Sequence, residues 1–297
     1  MTDPVIETQG LLKSFKGLNA LNGLNLSVPA GSIFGFLGRN GAGKTTTIKL
    51  LMGFLKPNGG NACVFSLNAT DAAAGVEIRR RVGLVTEDKD LYPYMTVEQI
   101  VRFTRGFFPR WRDDLDQRYL KVFDLPPKRK ISDLSKGMRS KLMLLLGISH
   151  GEELLILDEP TEGLDPVAVE EMLRELVAIS GAGGTTIFSS SHQLEEVEQI
   201  AEHVCIIDRG AAIVTGSLDD LKAQYRRLRI VLGEELRAPI HWADGADHVH
   251  QEVRTVEILA SRNVDAILNQ ARSLPGASVE CFPVTLKEIF LEHARRN

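Results

Sequence analysis

Two rhythms of apolar positions run along this chain. Short apolar runs recur at Ile33 to Leu37, which reads as a buried strand, at Val82 to Glu87, a strand running into a loop, and at Glu153 to Leu157 and Thr185 to Ser190, which read as central strands of a parallel sheet. Before the first of them, Val5 to Glu7 and Leu24 to Val28 are shorter strand-like runs separated by turns, and Lys13 to Gly17 reads as the loop between them. Another strand is expected near Ala62 to Phe65. The second rhythm is helical, at Thr46 to Met52, Val76 to Arg81 and Pro166 to Ile179, the last closed by the turn Gly181 to Gly184. Between about 90 and 150 the helical texture dominates. Thr96 and Gln99 form a capping-box pattern for a helix through Arg105, Asp113 opens another through Phe123, and Ser135 starts a third. This stretch reads as a helical block inserted between sheet segments. Beyond Tyr225 come strands at Arg229 to Leu232, Arg254 to Leu259 and Ala277 to Phe282, with helices at Val264 to Arg272 and from Thr285, the pattern of a small α+β module.

Length and charge narrow the function classes. The 297 residues suffice for one large domain and a small appendage, and 35 basic against 39 acidic residues give a net charge of -4, so no nucleic-acid partner is expected. The cluster Lys128-Arg129-Lys130 reads as a solvated face. Cys63, Cys205 and Cys281 lie far apart, without metal-site spacing, and read as small apolar residues in a reducing compartment. No apolar run approaches the roughly 20 residues of a spanning helix, and the N-terminus lacks a signal-peptide pattern. A cytoplasmic location is expected.

Chemistry enters at Gly38-Arg39-Asn40-Gly41-Ala42-Gly43-Lys44-Thr45-Thr46, between a predicted strand and a predicted helix. Gly38, Gly43, Lys44 and Thr45 satisfy G-x-x-x-x-G-K-[ST], a loop whose backbone N–H groups converge on phosphate oxygens at a helix N-terminus. In that pattern Lys44 reaches the β/γ-phosphates and the Thr45 hydroxyl holds Mg²⁺. At Asp158 and Glu159 two carboxylates close a buried strand, at the end of an α/β sheet where ligands sit. Asp158 is a candidate metal-orienting residue, and Glu159 a candidate base for an attacking water. His192 lies just past another central strand, on the same rim. Phe15, taken alone, reads as a half-buried loop aromatic.

Together these motifs resemble the nucleotide-binding subunit of an ABC transporter, over about residues 5 to 224. Leu134-Ser135-Lys136-Gly137-Met138 resembles the ABC signature, Glu162-Gly163-Leu164-Asp165 resembles the D-loop, and His192 matches the switch histidine. The resemblance also places Phe15 where the family stacks an aromatic on adenine. It implies a P-loop α/β fold with a mostly parallel core sheet, an N-terminal antiparallel β-subdomain, the inserted helical subdomain, and an accessory domain over 225–297. Two departures stand out. Glu87 replaces the usual glutamine, where it can still ligand Mg²⁺ or hold the lytic water, and Lys136 and Met138 replace the first glycine and the glutamine of the signature. Both resemble the ATPases of ABC-2-type export permeases. What the resemblance implies is an ATPase using ATP and Mg²⁺, with Glu159, His192 and Glu87 catalytic, Thr45, Glu87 and Asp158 around the metal, and Ser135 to Met138 and Asp165 completing a site across a dimer. Its partners would be a second ATPase, identical or similar, and a separate integral membrane permease at whose cytoplasmic face it sits. The alternative is a soluble ABC-type ATPase acting on ribosomes, DNA or cell-division machinery. For the C-terminal module, a regulatory or dimer-bracing role and a passive cap both stay open.

Overall fold

The computed structural model describes residues 4–86, 91–235 and 239–296. The chain forms two compact units, one up to Thr215 and one from Gly216 onward. In the first unit β1 (Pro4–Phe15) and β2 (Leu18–Pro29) form a long antiparallel hairpin, and β3 (Ile33–Leu37) leads into α1 (Lys44–Leu51). Then follow β4 (Gly59–Val64), β5 (Leu67–Asn68), α2 (Ala72–Arg81) and β6 (Val82–Val85). The helical block is α3 (Val97–Arg105), α4 (Asp113–Val122) and α5 (Lys136–Ile148). The unit is completed by β7 (Leu154–Asp158), α6 (Pro166–Gly183), β8 (Thr186–Ser191), α7 (Leu194–Ile200), β9 (His203–Asp208) and β10 (Ala211–Ser217).

Sheet order explains the two rhythms. β2-β1-β4-β5 form an antiparallel sheet, and β10-β9-β3-β8-β7-β6 form a second sheet in which β9, β3, β8, β7 and β6 pair in parallel. Successive strand side chains point to opposite faces. Thus Phe34, Phe36, Leu154, Ile156 and Phe188 enter one core with the antiparallel sheet and α1, whereas Ile33, Leu155, Leu157 and Ile187 enter another with α3 to α6. Phe188 anchors the first core between Phe34 and Phe36, at centroid distances of 5.8 and 5.2 Å. An unbroken apolar run is what a strand covered on both faces requires.

Several boundaries differ from expectation. Phe15 ends a strand instead of lying in a loop: it pairs with Leu18 across a two-residue turn, with Lys16 at φ 46° and Gly17 at φ 86°. Such a turn matches the twist of paired strands and holds the hairpin open to its full length. The helix expected to stop at Ile179 runs through Gly181 to Gly183 and ends only where Gly184 takes the left-handed conformation, φ 65°. The capping box does form: the Thr96 N–H donates to Gln99 Oε1 (2.9 Å) and the Gln99 N–H to Thr96 Oγ1 (3.3 Å).

The second unit comprises α8 (Leu218–Gln224), β11 (Arg226–Val231), β12 (Ala246–Gln251), β13 (Thr255–Ala260), α9 (Val264–Arg272), β14 (Ser278–Phe282) and α10 (Leu286–Arg296). Its antiparallel sheet runs β12-β13-β11-β14, and Leu228, Ile230, Val256 and Ile258 meet Ile267 and Ala271 of α9. The edge strand β12, Ala-Asp-His-Val-His-Gln, has no apolar run and was not expected from the sequence.

Glu152, just before β7, is drawn largely out of water, and its Oε2 has no hydrogen-bond partner among the described residues. Burial pushes its carboxyl up to about 8 from an ordinary 4.5. The folded chain therefore holds this proton where the unfolded chain has lost it. The associated stability is complete below the unfolded value and is lost as pH rises from about 4.5 toward 8. Glu152→Gln removes the titration, so its urea midpoint should fall less than that of the parent between pH 5 and 8; parallel declines would refute the assignment.

Candidate functional site

The carboxyl ends of β3, β7 and β8 lie side by side, with β8 in the middle. Each releases its chain into a loop that carries polar side chains, so three segments remote in sequence share one rim. The loop after β3 wraps tightly. Gly41 and Gly43 take φ 82° and 115°, and a Cβ on Gly43 would sit 2.7 Å from the Ala20 carbonyl oxygen. Only glycine fits that position without displacing β2. Lys44 opens α1 yet is 6 % exposed; its Nζ donates to the Gly38 carbonyl at 2.7 Å and lies 3.0 Å from Glu159 Oε1. Arg39, Asn40 and Gly41 are exposed, while Thr45 and Thr46 are half-buried. Asn40, Gly41, Lys44, Thr45, Glu159 and Glu162 border a cleft of about 350 Å³.

At the end of β7, Asp158 is buried and accepts a 2.5 Å hydrogen bond from Ser190 Oγ. Glu159 follows at φ 50°, a left-handed conformation that a side chain rarely adopts. Its backbone N–H is held by the carbonyl (3.1 Å) and hydroxyl (3.3 Å) oxygens of Ser190, and its carboxylate is turned inward. Oε2 accepts from the His192 backbone N–H at 3.3 Å and lies 2.9 Å from His192 Nδ1. Oε1 makes the Lys44 ion pair but no well-aligned hydrogen bond, so it keeps acceptor capacity. The His192 ring is 34 % exposed, and its Nδ1 is also 3.8 Å from Glu162 Oε2. A carboxylate in contact with both a cation and an imidazole, beside a glycine-rich loop at a helix N-terminus, can hold and deprotonate a nucleophile next to a bound phosphate.

The other predicted residues lie elsewhere. Phe15 is 43 % exposed at the end of β1, with Lys13 Nζ 4.9 Å from its ring centroid. Ser135 caps α5, its Oγ accepting from the Met138 N–H (3.2 Å), and Lys136 is exposed beside half-buried Gly137 and Met138. Asp165 caps α6 by accepting from the N–H groups of Val167 (3.1 Å) and Ala168 (3.0 Å). None of these borders the cleft around Lys44 among the described residues. Glu87 lies outside the described residues.

Two contributors carried no sequence signal of their own: Ser190 ties Asp158 to Glu159, and Glu196 of α7 accepts from Thr161 Oγ1 at 2.5 Å. Glu162, singled out in the sequence only within the segment resembling the D-loop, enters the cleft. Burial raises the Glu196 carboxyl above its ordinary range, against the opposing Thr161 hydrogen bond. Thr161 lies two residues after Glu159, so this bond braces the turn that carries the strained residue. The one clue was position, since Ser190 and Glu196 flank His192.

Both members of the Lys44–Glu159 pair are nearly inaccessible, which makes each dependent on the other. Lys44→Ala should destabilise the nucleotide-free protein by about 3–5 kcal/mol, and Glu159→Gln in that background should recover most of the loss. A double-mutant cycle in urea reads the coupling; additive losses would show that the contact stabilises nothing.

Known proteins resemble this chain. The family model described as "ABC transporter" matches residues 21–162. The bacitracin transport ATP-binding protein BcrA of Bacillus licheniformis is 34 % identical, over 84 % of this chain and 83 % of its own. The daunorubicin/doxorubicin resistance ATP-binding protein DrrA of Streptomyces peucetius is 36 % identical, over 73 % and 67 %. Among solved structures, an ATP-binding subunit of an ABC transporter superposes with a TM-score of 0.66 at 27 % identity, covering 74 % of this chain and 92 % of that one. With relatives this similar over most of both lengths, and with Lys44, Asp158 and Glu159 converging as described, the chain belongs to the ABC transporter ATP-binding proteins and is an ATPase.

Proposed function

We propose that this ATPase powers a separate membrane permease for export, working as a head-to-tail dimer around two ATP molecules. The observation that carries the catalytic part is the position of Glu159, 3.0 Å from Lys44 and 2.9 Å from His192. Glu159 is the general base, His192 senses the γ-phosphate, and Lys44 with the N–H groups of the loop 38–46 binds the phosphates. The Thr45 hydroxyl and the buried Asp158 carboxylate are hard oxygen donors, the kind Mg²⁺ takes, with Glu87 as a third. Mg²⁺ would neutralise charge on the phosphate oxygens. Phe15 stacks on adenine through the ring face that Lys13 leaves open.

A dimer accounts for the residues outside the cleft. Ser135, Lys136 and Asp165 are exposed, and a second chain presenting them would complete the site that one chain leaves half built. We assign residues 1–224, which take in α8 of the second compact unit, to the ATPase domain, with the helical subdomain at about 90–150, and 225–297 to the accessory domain. The permease reading draws on the relatives, whose names attach to bacitracin transport and to daunorubicin and doxorubicin resistance. Nothing comparable favours ribosomes or DNA. A surface feature also fits: Tyr92, Tyr94, Phe103 and Phe107 are 42–67 % exposed and form a chain of rings 5.1–5.8 Å apart. Contiguous exposed apolar groups of this kind suit a protein contact. No helix among the described residues is long and apolar enough to cross a membrane. In this reading the chain sits peripherally on the cytoplasmic face beneath its partner.

Glu159→Gln should lower kcat by about 10²–10⁴-fold while ATP still drives the variant into a dimer on size exclusion. Near-normal turnover would remove Glu159 from the base role, and a monomer at saturating ATP would remove the head-to-tail assembly. Capture of the tagged chain from detergent-solubilised native membranes should bring down a stoichiometric multi-spanning protein. Soluble or ribosomal partners alone would overturn the permease reading.

A further inference from the structure

Glu162 has no part in the hydrolytic scheme, yet its carboxylate closes a triangle with Glu159 and His192. One atom from each, a carboxylate oxygen, a second carboxylate oxygen and His192 Nδ1, all lie within 4.8 Å of one another. The Nδ1 distances are 2.9 Å to Glu159 Oε2 and 3.8 Å to Glu162 Oε2. Metal–ligand bonds of about 2.0–2.2 Å in tetrahedral array place neighbouring ligand atoms about 3.4 Å apart, a spacing that these two distances bracket. One imidazole nitrogen with two carboxylates is a donor set for zinc-class metals rather than for Mg²⁺, which prefers oxygen and its own waters.

We propose that Glu159, Glu162 and His192 form a transition-metal site, filled by Zn²⁺ or a similar ion when no nucleotide is bound, that takes the base and the switch histidine out of service.

The elements around the triangle favour it. Glu159 is fixed by its backbone bonds to Ser190 and by the His192 N–H, so one ligand is held in place before any metal arrives. Glu162 borders the cleft and the His192 side chain is 34 % exposed, which gives an ion a way in and leaves a coordination position for water. Lys44 opposes binding by its charge, but it sits on Oε1 whereas the metal would take Oε2. On entry the ion would replace the hydrogen bond between His192 Nδ1 and Glu159 Oε2, its proton leaving to solvent. The site follows from the distances alone; the inhibition it implies rests on the roles assigned to Glu159 and His192.

The test uses the full chain, nucleotide-free, with Zn²⁺ alone in competition with a chromophoric chelator. Parent protein should bind one more tight equivalent than Glu162→Ala or His192→Ala, each of which should weaken that equivalent about tenfold or more. Co²⁺ should give visible ligand-field bands that disappear in His192→Ala. Cys281→Ser and His248→Ala, far from the triangle in sequence, should leave both readouts unchanged. Unfolding midpoints confirm that each variant is folded. Equal stoichiometry and affinity in parent and the two triangle variants, or loss of the tight equivalent in Cys281→Ser or His248→Ala instead, overturns the proposal. Because no nucleotide is present, a failure of the hydrolytic assignment would leave this result unaffected.

Discussion

The contact between Lys44 and Glu159 is the constraint on which the rest of the first unit depends. Burying two opposite charges costs more than a surface pair returns, and the cost is tolerable only where geometry is tight and other polar groups close around them. Here the backbone supplies that closure: the Gly38 carbonyl holds Lys44 Nζ, and Ser190 and His192 hold Glu159. None of this could be assembled without parallel strands. β3 and β7 do not pair with each other; β8 lies between them, and strands spaced about 4.8 Å apart set their ends roughly 10 Å apart, within reach of a lysine and a glutamate extended toward each other.

Packing beneath the rim preserves that registration. Gly35 in β3 has no side chain because Val197 of α7 occupies the space, where a Cβ would collide with Val197 Cγ1. α7 therefore lies against β3, and the turn bearing His192 is fixed from the far side. The same helix carries Glu196, which grips Thr161 beyond Glu159. The left-handed backbone of Glu159, a strain of order 1–3 kcal/mol, is thus over-determined by bonds on both sides of it. What the strain achieves is direction: the carboxylate turns into the cleft toward Lys44 instead of continuing the strand alternation.

Local features of this chain were legible in its residues. The phosphate loop is a contiguous motif, the helix caps at Thr96, Ser135 and Asp165 lie within three residues of their partners, and both-face burial leaves an apolar run that any central strand must show. Glu159 could be placed by a rule about strand ends, because topology sends those ends to one rim. The missing parts were nonlocal or conformational. Nothing in the order of residues states that Glu162 folds back to within 3.8 Å of His192 Nδ1, or that Ser190 bonds Asp158. β12 escaped because an edge strand in a small sheet needs no apolar run, and α6 outlasted its glycines because the helix ended where Gly184, and not Gly181, took the left-handed conformation.

The signature departure at Lys136 acquires a physical setting from Gly163. A Cβ on Gly163 would collide with the Lys136 Nζ and lie 2.7 Å from its Cε and 3.1 Å from its Cδ, so the lysine stem runs along the glycine face of the loop between Glu159 and Asp165. Gly163 also has φ 68°, so two separate requirements fix glycine there. A lysine stem can cover such a face while its ammonium stays in water. In this chain the segment resembling the signature is therefore packed against the loop that follows Glu159. A glycine at 136 would leave the two segments without that contact.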